Sequence, residues 1–155
     1  MRAPCLSVAF LLSFVPALAF ASDIEWRRYT IASTGTSVEM PVSIFTSDAG
    51  APDGGTGRKF FTDDRRADLT VQSVANPENN SPAAFLAKMQ PPSGIIYKRV
   101  TSDFFVVSSI RNDRIWYNRC NRGNGSMNCV MINYPVAEKR QWDAVVTRIS
   151  RTLKS

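Results

Sequence analysis

The sequence predicts an α+β fold in which an antiparallel β-sheet is flanked by helices. Most of the chain consists of short runs rich in β-branched and aromatic residues, joined by connections of a few residues. Strands linked so tightly pair antiparallel. Two segments instead show apolar residues at helical spacing, and each needs a surface on which to bury that stripe.

The first 21 of 155 residues read as a secretory signal peptide. Arg2 gives a positive start, Leu6 to Phe20 is almost wholly apolar, and Ala17-Leu18-Ala19 and Ala19-Phe20-Ala21 offer small-x-small cleavage sites. The expected cut falls between Ala21 and Ser22. An uncleaved membrane anchor is the competing reading, but an apolar run of about 15 residues broken by Pro16 is short of the ~20 needed to span a bilayer. Cys5 sits near the beginning of that run, not at its end where a lipid-bearing cysteine would stand, and belongs to the signal. Residues 22–155 then form one domain, large enough for one core. With no further long apolar stretch, the product is expected to be secreted and soluble, reaching the periplasm in a double-membraned bacterium.

Residues 26–31 and 37–45 read as strands around Ser33-Thr34-Gly35-Thr36. Residues 48–57, from Asp48 to Gly57, contain nothing to bury and are expected to be a mobile surface loop. Further strands are expected at 58–62 and 67–74, where Leu69, Val71 and Ser73 alternate with Thr70, Gln72 and Val74 as in a strand packed on both faces. Ser81-Pro82 opens a helix, serine as its cap and proline at its first position, running through Phe85, Leu86 and Met89 to Pro91-Pro92. Strands at 95–101, 104–110, 114–120 and 127–134 follow, with Asn112-Asp113 turning between the second and third. Trp142, Val145, Val146, Ile149 and Leu153 mark the last helix, whose other face carries Lys139, Arg140, Arg148, Arg151 and Lys154.

Two cysteines remain after the signal, and in an oxidising compartment such a pair predicts a disulfide between Cys120 and Cys129. Asn124-Gly125 is a strong hairpin signal, suited to a type I′ turn with positive φ at both positions. Counting outward pairs Gly123 with Ser126 and places Cys120 directly opposite Cys129 in a non-hydrogen-bonded pair, Cα atoms about 4.5 Å apart. The same register sets Tyr117 opposite Ile132 and Ile115 opposite Tyr134. Reduced, buried cysteines are the alternative.

Gly35-Thr36-Ser37-Val38-Glu39-Met40-Pro41 resembles the opening motif of the PsbP-like superfamily, with Met40 where an aromatic is usual. Asn133-Tyr134-Pro135 and the helix from Trp142 to Leu153 are similar to its closing strand and helix. The resemblance implies an α/β/α sandwich. It also implies a habit of protein binding or assembly without a shared catalytic site, in a superfamily that includes an extrinsic photosystem II subunit, a Ran-binding import factor and exported bacterial proteins.

The chain contains no histidine. That removes the usual base of serine and cysteine hydrolases, and leaves zinc without its common ligands. No catalytic, cofactor-binding or metal-binding residue is assigned, and no cofactor is expected. Asp63, Asp64 and Asp68 lack the spacing of a calcium loop and read as a charged hairpin turn. Gly54-Gly55-Thr56-Gly57 lacks the Gly-Lys-Ser/Thr of a phosphate loop. Arg114, Trp116, Tyr117 and Arg119 mix cations and aromatics, but alternation puts Ile115, Tyr117 and Arg119 on one face and Trp116, Asn118 and Cys120 on the other, so the aromatics are expected in the core rather than on nucleic acid. Net charge is +6, or +5 once Arg2 leaves, spread over scattered doublets. The leading expectation is an exported, non-catalytic binding or assembly module of the cell envelope. It would meet a protein or envelope partner through loops and exposed basic residues. The alternatives are a polyanion-binding periplasmic protein and a hydrolase working with carboxylates alone. The partner and the oligomeric state are not readable from the sequence.

Overall fold

The computed structural model describes residues 23–91 and 93–155, so the expected signal segment and its Ala21/Ser22 junction lie outside the described residues. Strands β1 (Trp26–Thr30) and β2 (Ser37–Pro41) form a hairpin of their own. Among the described residues, β3 (Ser47–Gly50), β4 (Thr56–Phe61), β5 (Asp68–Ala75), β6 (Ile95–Val100), β7 (Phe104–Arg111), β8 (Arg114–Arg122) and β9 (Ser126–Pro135) form one sheet. Its order is β3-β4-β5-β9-β8-β7-β6 and every neighbouring pair is antiparallel. Helix α1 (Pro82–Met89) joins β5 to β6, and a 3₁₀ turn (Val136–Glu138) leads from β9 into α2 (Lys139–Thr152). The result is an α+β sandwich with one helix on each face of the sheet.

The larger core lies on the α2 face. Trp142, Val145, Val146, Ile149 and Leu153 meet Leu69, Val71, Ile115, Val130, Ile132 and Tyr134 of the sheet, and the β1–β2 hairpin adds Val38 and Met40. The chain end ties helix to hairpin: Ser37 N–H donates to the Lys154 carbonyl (3.0 Å) and Lys154 N–H to that of Ser37 (2.8 Å). Thr36, wholly buried, donates through Oγ1 to Asn128 Oδ1 (2.7 Å), which also accepts from Ser73 Oγ (2.7 Å). The segment from Gly35 to Pro41 thus has a structural task, seating the hairpin on the sheet through buried hydrogen bonds.

The smaller core lies on the other face, where Leu86 with Phe85 and Met89 of α1 covers Phe105, Val107, Cys120, Met127 and Cys129. Ser81 caps α1, its Oγ accepting from Ala84 N–H (3.2 Å). A disulfide joins Cys120 to Cys129 with Cα atoms 4.1 Å apart, in a register that also pairs Tyr117 with Ile132 and Ile115 with Tyr134.

Three local expectations need correction. The segment 37–45 is strand only to Pro41, whose carbonyl accepts from the N–H of both Ile44 and Phe45 (3.0 Å each) and closes a turn. The segment 48–57 is not a mobile loop: β3 pairs with β4 through Ser47↔Phe61 and Asp48↔Phe60, leaving only residues 51–55 as the connection. Backbone pairing at a sheet edge needs no apolar side chains, which is why the sequence pattern misses it. Gly57 in this hairpin is obligatory, because at its φ of 152° a Cβ would lie 2.0 Å from the Val71 carbonyl oxygen. The third correction concerns turn type. Gly125 has positive φ (67°) but Asn124 does not, so the disulfide hairpin keeps its register without a type I′ turn. The pair with positive φ at both positions is Asn112-Asp113 (50° and 56°), between β7 and β8.

Candidate functional site

Alternation along β4, β5, β8 and β9 sends every second residue to the α1 face, and cross-strand pairing arranges these residues in rows. The row Cys120–Cys129–Gln72 runs beside α1. The next, Asn118–Met131–Thr70–Lys59, and the one after it, Trp116–Asn133–Asp68, extend beyond the helix. Composition changes along this direction, from disulfide and apolar groups to amides, a hydroxyl and a charged pair. These two outer rows floor an open cavity of about 290 Å³, closed on one side by Pro52 and Asp53 of the β3–β4 connection.

Trp116 is 37% exposed, so the expectation that it belongs to the core is overturned. Alternation assigns it to the correct face, but no helix among the described residues covers it. Around it, Thr70 and Gln72 are buried in the sheet and Asn133 is held in place by Arg114, whose Nε donates to Asn133 Oδ1 (2.9 Å). Arg114 also donates through Nη2 to the Arg66 carbonyl (2.7 Å). These contacts fix the outer end of the cavity.

Two features of the cavity are electrostatically unsettled. Gln72 Oε1 is buried and has no hydrogen-bond partner among the described residues. A carbonyl left in that condition costs roughly 1–3 kcal/mol, a cost that a donor brought to it removes. Asp68 is largely buried, and burial raises its pKa above the usual carboxylate value, against the opposing pull of Lys59, Arg114 and the Asn133 amide. Lys59 Nζ lies 3.6 Å from Asp68 Oδ1 and 5.0 Å from the centre of the Phe61 ring, so its ammonium is engaged with those two groups.

The three aspartates read together from the sequence are separated by the fold. Asp63 and Asp64 are at the exposed β4–β5 turn. There Thr62 Oγ1 (2.7 Å) and Arg66 Nε (2.7 Å) both donate to Asp64 and hold its pKa far below the usual range, with the Arg66 backbone N–H the largest contributor. Asp63 accepts from Thr46. Asp68 alone faces the cavity. Among the described residues no group of three or more acidic or cysteine side chains is placed to hold a metal ion. No helix among them is long and apolar enough to cross a membrane.

What this surface can do is bind. It offers a half-exposed indole, several amide and hydroxyl groups and one tempered carboxylate. Sequence reasoning missed it, although Thr70, Gln72, Asn118 and Asn133, polar residues in the middle of central strands and all on one face, were the available signal.

No protein-family model matches the chain, and no curated protein matches it significantly. Among solved structures, the solution structure of cyanobacterial PsbP (CyanoP) from Synechocystis sp. PCC 6803 is similar to it with a TM-score of 0.62. The match covers 92% of this chain and 98% of that one at 10% sequence identity. At that identity the likeness concerns the fold, which is PsbP-like.

Proposed function

We propose that the protein is an exported, non-catalytic binding module that takes a partner protein on the uncovered half of its α1 face. Residues 1–21 are removed on export and residues 22–155 act as one domain. The observation that carries this reading is Trp116, a large aromatic standing in an open cavity that mixes amides, a hydroxyl and charged side chains with the apolar Pro52, Met131 and Ile132. Tryptophan is, with tyrosine and arginine, enriched among the anchors of protein interfaces, joining a large apolar contact to a polar surround. Export is supported by the signal-like N-terminus and by the Cys120–Cys129 disulfide, a bond that persists in oxidising compartments. The PsbP-like fold is consistent with an assembly role.

A photo-crosslinking amino acid placed at position 116 in producing cells tests the surface. A discrete protein adduct from position 116, absent when the same probe replaces Arg140 on the exposed side of α2, is the expected result. Equal labelling from both positions, or none from 116, rules the surface out. Mass spectrometry of the native protein should find its N-terminus at Ser22, and an intact segment 1–21 would remove the export argument.

A further inference from the structure

A second site lies on the other face, between the exposed edge of the sheet and the last turn of α2. Arg99 on β6, Arg119 on β8 and Arg151 on α2 surround a cavity of about 260 Å³ floored by Phe104 and Val106. Register places Arg99 and Arg119 on either side of Val106. Their guanidinium carbons lie 5.4 and 4.4 Å from the centre of the Phe104 ring, so two cations share one aromatic ring.

Arg119 is held in place. Its Nε donates to Asn121 Oδ1 (3.0 Å), and Asn121 Nδ2 donates to the Leu153 carbonyl (3.1 Å) at the end of α2. The Tyr117 hydroxyl is bonded to Ser150 Oγ (2.5 Å), closing the inner wall. Tyr97 and Thr147 line the same cavity with further hydroxyls.

The cluster lacks an anion. Among the described residues Arg99, Arg119 and Arg151 have no carboxylate in ion-pair range, a condition they share with Arg65, Arg111, Arg114, Arg122 and Arg140; what sets the three apart is that they line one cavity. Burial lowers the pKa of Arg119 against an opposing pull from the Tyr117 hydroxyl, with the neighbouring Arg99 charge adding a smaller lowering. Arg99 and Arg119 thus stand close over the Phe104 ring, Arg151 lines the same cavity, and no carboxylate lies among them. A single carboxylate would satisfy one guanidinium fork. A tetrahedral phosphoryl group presents four oxygens, with one negative charge as a diester and up to two as free phosphate, and can meet more than one fork.

We propose that the cavity bounded by Arg99, Arg119 and Arg151 binds a phosphoryl group, presented either as free phosphate or as the headgroup of an anionic lipid. This site is independent of the Trp116 surface, and either can fail without the other.

The test is calorimetric titration of the purified protein with inorganic phosphate near neutral pH, alongside co-sedimentation with phosphatidylglycerol and with phosphatidylcholine vesicles. Phosphate should bind at or below about 1 mM. Arg119→Gln and Arg151→Gln should each weaken it about tenfold, the loss of one charge-assisted contact. Arg140→Gln, elsewhere on the exposed side of α2, should leave it unchanged. Arg151 is itself exposed, so that variant reports on binding even if Arg119→Gln disturbs folding. Phosphate binding lost in the two site variants identifies free phosphate as the source. Binding to phosphatidylglycerol vesicles alone, lost in the same variants, identifies the lipid headgroup. Binding of neither ligand, or equal weakening by Arg140→Gln, overturns the proposal.

Discussion

The two faces of the sheet are built from alternate residues of the same strands, yet one is closed over the central strands and the other is half open there. On the α2 face the helix of 14 residues and the β1–β2 hairpin together cover the central strands. On the α1 face, among the described residues, the covering helix has 8 residues and only the β3–β4 connection borders the rest. At 1.5 Å per residue these helices are about 21 and 12 Å long, whereas seven strands spaced about 4.8 Å apart make a sheet about 29 Å wide. Neither helix reaches across alone, and a hairpin supplements only the longer one; the side chains are apolar beneath α1 and a mixture of amide, hydroxyl, charged and apolar groups beyond it. The length of the covering element, rather than the strands themselves, decides which surface is core and which is available to a partner.

The comparison breaks most visibly if charge is placed on each face in turn. Val145→Asp buries an unpaired carboxylate on the closed face and should cost about 3–5 kcal/mol in urea unfolding, or prevent folding. Asn118→Asp puts the same group on the open half and should cost under about 1 kcal/mol. Similar losses from the two would mean that the open half is covered in solution.

Removing the disulfide with Cys120→Ala and Cys129→Ala together should lower stability by about 2–3 kcal/mol for the ten-residue loop it closes, counting chain entropy alone. The same denaturation midpoints measure it, and a loss below about 1 kcal/mol would show that the hairpin holds its register unaided.

A smaller effect is expected at Asp68, and it depends on pH. Its folded-state pKa is raised, so the folded protein binds this proton more tightly than the unfolded chain does. Stability is therefore lost as pH rises from the ordinary carboxylate value of 3.8 through the folded one. Asp68→Asn should raise the unfolding midpoint at pH 7 and leave it unchanged near pH 3. The smallest change should come from Arg148→Ala. Arg148 donates through Nε to Glu39 Oε2 (2.8 Å) and stacks 4.2 Å from the centre of the Trp26 ring, but it stands on the exposed side of α2. A loss of about 0.5 kcal/mol is expected in thermal or urea unfolding.

The closed face was legible in the sequence because its signals are periodic and local. Five apolar residues at helical spacing identify α2, and the two cysteines counted from Asn124-Gly125 give the β8–β9 register and the bond. The open half was not legible, because alternation tells which face a residue takes and not whether anything covers that face. Trp116 was thus assigned to the core on a correct parity. Strand β3 was missed because an edge strand needs only backbone partners, and its sequence, Ser47 to Gly50, carries no apolar pattern. The arginine site is hidden for another reason. The doublet Lys98-Arg99 looks like one basic spot, but the strand sends Arg99 to the α2 face beside Val106 and Lys98 to the opposite one beside Val107. Only the fold brings Arg99 to Arg119 and Arg151.

The disulfide has a kinetic consequence that follows from its position. Both cysteines are 0% exposed and belong to the cluster that α1 completes. A thiolate must touch a sulfur to attack it, so reduction of the folded protein waits for α1 to lift from the sheet. The rate at which a small thiol reduces this bond is then a clock for that one movement, independent of unfolding elsewhere. A substitution that loosens only the α1 contact, such as Leu86→Ala, should quicken the clock far more than it lowers the global unfolding midpoint.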